Sequence, residues 1–417
     1  MTKIHLFLKS ARNKEYRKLI IVFFIGWISF FPEPIQIQYR TPIKCILFII
    51  FIYFWLRKKI KITRKDLVLL LFILCLMGGV FSAKNKLVAI ETYSNLALPL
   101  FSLYFLTSLF SEEDISFFAK TICFFSIFVS LLGIFDILWG RNFLYEIMYN
   151  PFYERYLIYP TLKRPLSTQF NPAPLGTYLL ACFPFGLVLL KEKNIVFLLL
   201  GAISLLLNSS VLILTFSRAA FVGFIVTILF FLWHKQKKML FMLFILTFIL
   251  TVAISSFLEY DRGFDRFGLK GMLFGQEYTS PLSRYRIERV EMVFKMLKDH
   301  PIFGIGLNHI RIRFFDYYPG KSDVGYEWRI ADNMYLTLLG ETGIIGFTGF
   351  LTFIFFLFKN GLKSLKKLEG KKKDILLISL SAFIGLLINM TGYELFYWHT
   401  PFYLFCLISG LVRWIAK

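Results

Sequence analysis

Long apolar stretches alternate with short polar segments along most of the chain. A helix needs roughly 20 mainly apolar residues to cross a membrane, and the pattern predicts twelve such spans, although eleven or thirteen fit almost as well because several stretches are short. The predicted spans lie near residues 19–31, 43–56, 67–83, 88–110, 115–139, 175–190, 195–215, 219–233, 239–257, 333–358, 375–390 and 400–415. The pattern therefore predicts an all-α polytopic membrane protein with a single transmembrane domain over residues 1–417.

Two long polar segments, residues 140–174 and 258–332, interrupt this series of spans. Lysine and arginine are concentrated in alternate short connections, such as 57–66 and 359–374. Because basic short loops stay in the cytoplasm, we expect both termini to be cytoplasmic. The two long loops then lie on the outer, periplasmic side, where the positive-inside rule has little force.

The composition agrees with a membrane protein and bears on which partners and cofactors the protein binds. Apolar residues make up 57% of the 417 residues, and the net charge is +22. Most of this charge follows from the basic cytoplasmic segments, which contact anionic membrane lipids, so we predict no nucleic-acid partner. The five cysteines lie in or beside apolar spans without metal-ligand spacing. We therefore predict no metal site and no cofactor.

The segment 258–332 is richer in arginine than any other loop. Guanidinium groups hold phosphate or carboxylate in a bidentate way, whereas lysine acts as a point charge. Acidic residues nearly balance the basic ones in this loop, which indicates specific contacts rather than bulk charge. The arginines are Arg262, Arg266, Arg284, Arg286, Arg289, Arg311, Arg313 and Arg329.

Within this loop, residues 283–300 have the apolar spacing of an amphipathic helix. Pro301 ends the predicted helix, and the glycines of the segment 303–306 predict a turn. Two interpretations remain open: the helix lies at the membrane surface with arginines near lipid phosphates, or it packs the loop onto the membrane domain. The predicted apolar face consists of Ile287, Val290, Val293, Phe294 and Leu297.

Two further positions stand where polar side chains meet apolar spans. Arg218, between two spans at the outer edge, is either an arginine that extends to the interface or a buried ligand contact. Asp332 and Asn333 stand where the long loop re-enters the membrane. Asp332 is either a helix N-cap or a general base with a raised pKa. Glu341, deeper in the same span, must be paired or face water.

Weaker candidates lie in both long loops. Arg164 stands in the first loop after several tyrosines, a composition that suits either a sugar-binding surface or an ordinary membrane interface. His309 in the second loop is a modest candidate for proton transfer.

Several segments together resemble the bacterial O-antigen ligase and polymerase family. The similarity covers about residues 160–350 and rests on the order and spacing of its motifs around the large outer loop. The segments are Phe216-Ser217-Arg218-Ala219-Ala220, Arg286 followed by Pro301-Ile302-Phe303-Gly304-Ile305-Gly306, Asp332-Asn333 through Gly343, and Arg164 to Pro172.

The resemblance implies a metal-independent glycosyltransferase with a GT-C-like fold in the bacterial inner membrane. Such enzymes move a glycan from undecaprenyl pyrophosphate to an acceptor hydroxyl on the periplasmic side, the acceptor being another lipid-linked glycan or lipid A-core. By similarity, Arg218 and Arg286 bind the pyrophosphate and Asp332 accepts the proton. Arg164, Arg284, Arg289, Asn333 and His309 are the further substrate-binding candidates.

One departure from the family bears on the activity. The ligase pattern has histidine where this chain has Asp332, and an aspartate with an ordinary pKa near 3.9 is a poorer base unless burial raises that pKa. We therefore favour a repeat-unit polymerase, with ligase as the alternative. A lipid-linked sugar flippase is the alternative of another class, although the paired interrupted spans typical of transporters are absent from the sequence.

Overall fold

The computed structural model describes residues 14–31, 33–57, 59–139, 142, 144, 164–235, 281–318 and 329–416. These residues form helices, turns and irregular segments, with no strand among them. The helices in the described ranges are α1 (Lys14–Phe30), α2 (Glu33–Leu56), α3 (Leu67–Ser82), α4 (Lys86–Leu106), α5 (Glu112–Trp139), α6 (Pro172–Leu189), α7 (Ile195–Leu214), α8 (Arg218–His234), α9 (Pro281–Asp299), α10 (Phe314–Tyr317), α11 (Met334–Leu365), α12 (Gly370–Asn389) and α13 (His399–Ile415).

Helices occupy eleven of the twelve positions at which spans are predicted. Among the described residues, seven helical segments are long and apolar enough to cross a membrane, and α1 and α8 contain shorter apolar stretches. The chain is therefore a polytopic membrane protein. The predicted span 239–257 and the loop residues 145–163 and 258–280 lie outside the described part of the chain.

Glycines let pairs of helices approach to backbone contact. A Cβ atom at Gly223 of α8 would lie 2.6 Å from the carbonyl oxygen of Gly385 in α12. In the same way, a Cβ atom at Gly201 of α7 would lie 2.9 Å from the carbonyl oxygen of Gly186 in α6. Small residues at such crossings increase the van der Waals contact that holds membrane helices together. These crossings fix the position of α8 against α12 and that of α7 against α6.

Helix α11 is interrupted at Gly343, and a loop segment is bound at the interruption. Gly343 has a φ of +63° in the middle of the helix. The carbonyl oxygens of Pro301 and Ile302 accept hydrogen bonds from the amides of Ile344 (2.9 Å) and Ile345 (3.2 Å). In return, the amides of residues 305 and 306 donate to the carbonyls of residues 340 and 341, each at 3.0 Å. The loop after α9 is thereby joined to α11 by four backbone hydrogen bonds.

Candidate functional site

Asp332 stands at the entrance to α11 in a left-handed backbone conformation, with a φ of +55°. This region is sparsely populated for residues other than glycine, and such conformations cluster at functional sites. The N-cap of α11 is the next residue, Asn333, whose Oδ1 accepts hydrogen bonds from the amides of Tyr335 (2.9 Å) and Leu336 (3.1 Å). The interpretation of Asp332 as the helix cap is therefore wrong. Its carboxylate is directed instead toward the arginines of α9.

Most of the predicted apolar face of helix α9 does not pack against the protein, which excludes that face as the one that joins the loop to the membrane domain. The helix ends at Asp299, before Pro301, as predicted. Ile287, Val290 and Phe294 are exposed, whereas Arg289 is only 3% exposed. The buried apolar side chains are Met292, Val293 and Met296, which belong to a small core cluster with residues of the loop 305–331. Burial of this face directs Arg289 into the site.

The carboxylate of Asp332 lies between two guanidinium groups of α9. Its Oδ2 is 3.5 Å from Nη1 of Arg289 and 3.7 Å from Nη2 of Arg286. The side chain of Arg286 is 55% exposed, that of Asp332 33%, and that of Arg289 is buried. Arg289 is therefore held inside the protein, while Arg286 is accessible to a ligand.

The pKa of Asp332 reflects two opposing influences. Burial raises the pKa of this carboxyl above its ordinary value, and the positive charges of Arg289, Arg286 and Arg218 act in the lowering direction. Burial is the larger influence. A raised pKa makes the aspartate a better proton acceptor than an exposed one. Arg218, from a distant part of the sequence, thus acts electrostatically on the same carboxyl as the two arginines of α9.

Arg218 is the first residue of α8, and a strained turn precedes it. Phe216 has a φ of +52°, and Ser217 is the N-cap residue. Arg164 donates from Nε to the carbonyl oxygen of Thr215 at 2.8 Å, immediately before this turn. Arg164 thus contacts the backbone that positions Arg218.

Glu394 is a residue of the site that the sequence analysis missed. It is 4% exposed, and its Oε1 accepts hydrogen bonds from the amide of Ala331 (2.9 Å) and from the hydroxyl of Thr337 (2.6 Å). Burial raises its pKa, which the charge of Arg311 opposes. Since Ala331 precedes Asp332, Glu394 holds the backbone on which the candidate base stands. A lone glutamate between two spans gives no sequence pattern that would identify this contact.

Glu341 lies in α11, further along the chain than Asp332, and its carboxylate is hydrogen-bonded, as the sequence predicts. It is 2% exposed, and its carboxylate accepts hydrogen bonds from the hydroxyl of Tyr397 and from the amide of Ile310 (3.3 Å). The acid therefore joins α11 to the loop and to the segment before α13.

His309 is fully buried with both ring nitrogens engaged. Nδ1 donates to the carbonyl oxygen of Leu307 at 2.8 Å, and Nε2 accepts from the amide of Asn85 at 2.9 Å. Burial lowers the pKa of this imidazole, which keeps it neutral. These contacts favour a structural role over proton transfer.

The remaining arginines of the loop differ in their surroundings. Arg313 donates to Asp316 (3.0 Å) and Tyr317 (2.9 Å), and Arg329 lies 4.4 Å from the ring centre of Phe315. Both therefore stabilise the loop locally. Arg262 and Arg266, and the side chain of Arg284, lie outside the described part of the chain. Within the described ranges, no group of three or more histidine, cysteine, aspartate or glutamate side chains has the geometry of a metal site.

Comparison with known proteins identifies one family. Residues 201–351 match the family model described as O-antigen ligase. The matched segment contains Arg218, Arg286, Arg289, Asp332 and the interrupted part of α11. No curated protein matches the chain.

Proposed function

We propose that this chain, a member of the O-antigen ligase and polymerase family, transfers a glycan from undecaprenyl pyrophosphate to an acceptor hydroxyl on the periplasmic side of the bacterial inner membrane. The observation that carries the proposal is the position of one partly buried carboxylate, Asp332, between Arg286 and Arg289, with the charge of Arg218 acting on the same carboxyl. The arginines of such a site can stabilise the negative charge of a leaving diphosphate, and its carboxylate can accept the proton of a hydroxyl.

In the proposed reaction, the oxygen of the acceptor hydroxyl forms a bond to the anomeric carbon of the donor sugar. The bond between that carbon and the pyrophosphate oxygen breaks, and undecaprenyl pyrophosphate leaves with the electron pair. The proton of the hydroxyl passes to the carboxylate of Asp332, whose raised pKa favours this transfer.

The arginines have different roles in this proposal. Arg286 and Arg218 bind the pyrophosphate and stabilise the negative charge that develops on its departing oxygen. Their positive charge replaces that of a divalent metal, so the transfer is metal-independent. Arg289, which is buried against Asp332, orients the base. The distances of 3.5 and 3.7 Å to Asp332 exceed those of tight ion pairs, which leaves the exposed Arg286 available to a donor phosphate.

Glu394 and Asn333 support the base in this arrangement. Glu394 fixes the amide of Ala331 on one side of Asp332. Asn333 caps α11 on the other side and donates from Nδ2 to the carbonyl oxygen of Thr391 at 2.7 Å. Fixing both neighbours holds the strained backbone of Asp332, which is the usual way in which a catalytic group is preorganised.

Two acceptors remain in competition. Aspartate at position 332, where the ligase pattern has histidine, favours a polymerase that uses a second lipid-linked repeat unit as acceptor. The matched family model, described as O-antigen ligase, favours lipid A-core as acceptor. The clustering of arginines at one end of the spanning helices favours either transferase over a flippase, whose charged groups would lie near the membrane midplane.

Deletion of the gene, followed by glycolipid analysis on gels, distinguishes the activities. A polymerase predicts accumulation of core carrying a single repeat unit. A ligase predicts accumulation of lipid-linked polymer with unmodified core. Unchanged surface glycan in a strain without a redundant enzyme would contradict both.

Complementation with arginine variants tests the site itself. We expect Arg218→Ala and Arg286→Ala each to reduce product formation at least about 100-fold, the typical cost of removing one donor that stabilises a developing anion. Lys295→Ala is the matched control, since it removes one positive charge from an exposed position of α9. Comparable membrane levels of all three proteins, with activity retained in both arginine variants, would refute the pyrophosphate role.

A further inference from the structure

A second cationic site lies at the opposite end of the helical bundle from Asp332. A cavity of about 510 Å³ is formed there by the last turn of α8, the last turns of α11 and the first turns of α12. With a rise of 1.5 Å per residue, the α11 part of the cavity lies about 40 Å from the first residue of that helix. The described residues that line it are His234, Lys235, Leu362, Lys363, Leu365, Lys366, Lys373 and Leu377.

The charge of this cavity is one-sided. Four lysines and one histidine line it, and no acidic side chain is among its described lining residues. Lys235 is held in place by an ion pair with Asp374, a residue of α12 that also pairs with Lys191. Lys363, Lys366 and Lys373 form no ion pair with another described residue. Their like charges repel each other across the cavity, and an anion bound between them would relieve this repulsion.

The size of the cavity suits a small ligand. The cavity volume is within the range of about 300–1,000 Å³ that small-ligand sites occupy.

The apolar part of the lining indicates the kind of anion. Leu362, Leu365 and Leu377 supply apolar surface beside the ammonium groups. Trp233, on the turn of α8 that precedes the cavity, is 70% exposed, and tryptophan is enriched at the level of lipid headgroups. A soluble phosphate gains nothing from the leucines, whereas a lipid presents a phosphate with an acyl chain attached.

We propose that this cavity binds the phosphate headgroup of an anionic phospholipid, with Lys363, Lys366 and Lys373 as the phosphate ligands. Lysines of cytoplasmic loops ordinarily contact lipid headgroups without a defined binding site. Lys363, Lys366 and Lys373 differ because they line one cavity. The binding site is independent of the proposed transferase reaction, because none of its residues contacts the arginine cluster at the other end of the bundle.

Binding of lipid to the full-length purified protein tests the site. We expect cardiolipin or phosphatidylglycerol, added to the delipidated protein in detergent, to give retained lipid adducts in native mass spectrometry, and phosphatidylethanolamine, which has no net charge, to bind at least 10-fold more weakly. The triple variant Lys363→Gln, Lys366→Gln, Lys373→Gln should lose at least 10-fold in affinity for the anionic lipids.

The control is the triple variant Lys359→Gln, Lys367→Gln, Lys371→Gln. It removes the same charge from the same end of α11 and α12 at positions that do not line the cavity. We expect its lipid affinity to stay within two-fold of the unmodified protein. Equal losses in both variants would overturn the site in favour of diffuse attraction. Displacement of the lipid by millimolar inorganic phosphate would overturn the lipid assignment and indicate a soluble phosphate ligand.

Discussion

Asp332 illustrates how a single residue type acquires a function from its surroundings. An exposed aspartate is fully ionised and weakly basic at neutral pH. Here burial raises the pKa of the carboxyl, and the charges of three arginines limit the increase. A carboxylate with this balance accepts a proton from a hydroxyl more readily than an exposed one and still ionises again after turnover.

The pH dependence of product formation tests this role. The reaction requires the carboxylate form, so activity should be present above the raised pKa of Asp332 and should be lost as the pH falls through it. Arg289→Gln removes the lowering influence that Arg289 exerts. The pKa should therefore rise further, and the acidic limb of the activity profile should move to higher pH.

Two variants control for a general loss of structure. Arg289→Lys keeps the positive charge, so its acidic limb should stay near that of the unmodified protein, whereas Asp332→Asn should be inactive at every pH. An unmoved limb in Arg289→Gln, or movement to lower pH, would exclude Asp332 as the titrating base.

At the scale of the element, the interruption of α11 decides where the site lies. The loop after α9 contacts the backbone of α11 at Gly343, and only glycine leaves room for this contact. A Cβ atom at position 343 would lie 2.4 Å from the carbonyl oxygen of Ile302. This contact anchors the loop segment that follows α9, the helix that carries Arg286 and Arg289. Gly304 of the loop and Gly343 of α11 are thus both needed for the close approach of the two backbones.

Gly343→Ala should destabilise the protein and reduce its activity. At φ +63° and ψ −165° the backbone lies in a region that is essentially restricted to glycine, so a Cβ atom there costs about 1–3 kcal/mol, and it adds a backbone clash at 2.4 Å. The measurement is the thermal unfolding midpoint in detergent, together with product formation.

Gly370→Ala is the matched control for this substitution. Gly370 has a similar φ of +59°, but a Cβ atom there meets nothing within 4 Å. This variant should show the backbone strain alone and keep its activity. An equal fall of the unfolding midpoint in both variants would mean that the contact with the loop contributes nothing.

At the scale of the whole molecule, a buried ion pair joins distant parts of the chain. Arg413 near the end of α13 donates from Nη2 to Asp66 at 2.8 Å, and the two side chains are 4% and 1% exposed. The guanidinium also lies 4.5 Å from the ring centre of Phe105 in α4. The last helix is thereby fastened to α3 and α4 at the end of the bundle that carries the lysine-lined cavity.

Breaking this pair should be costly. Asp66→Ala or Arg413→Ala leaves one charge buried without its partner, which typically costs about 3–5 kcal/mol. We expect a lower thermal unfolding midpoint in each single variant. The double variant Asp66→Leu, Arg413→Met removes both charges and should be more stable than either single variant. A double variant that is less stable than both would show that the pair itself, and not the burial of a lone charge, decides the stability.

The sequence by itself determined the helical membrane class, because spans are long apolar runs whose backbone polar groups must be satisfied within each helix. Helices occur at eleven of the predicted positions, and the end of α9 and the turn after it agree with Pro301 and the glycines of the segment 303–306. The motifs around Arg218, Arg286 and Asp332 also carried the resemblance to the O-antigen ligase family, whose model matches residues 201–351, because they are local patterns of residue type and spacing. The number of spans and the side on which the site opens stay predictions.

Only the tertiary structure decided which face of α9 is buried, which residue caps α11 and what holds Asp332. The apolar spacing of α9 left open whether Ile287 and Phe294 face the protein or the membrane; the helix leaves both exposed on the protein and buries Arg289 on the face that carries Met292 and Val293. Glu394 reaches Ala331 across 63 residues of sequence. Contacts of this kind depend on how helices cross, and periodicity within one segment carries no information about its neighbours in space.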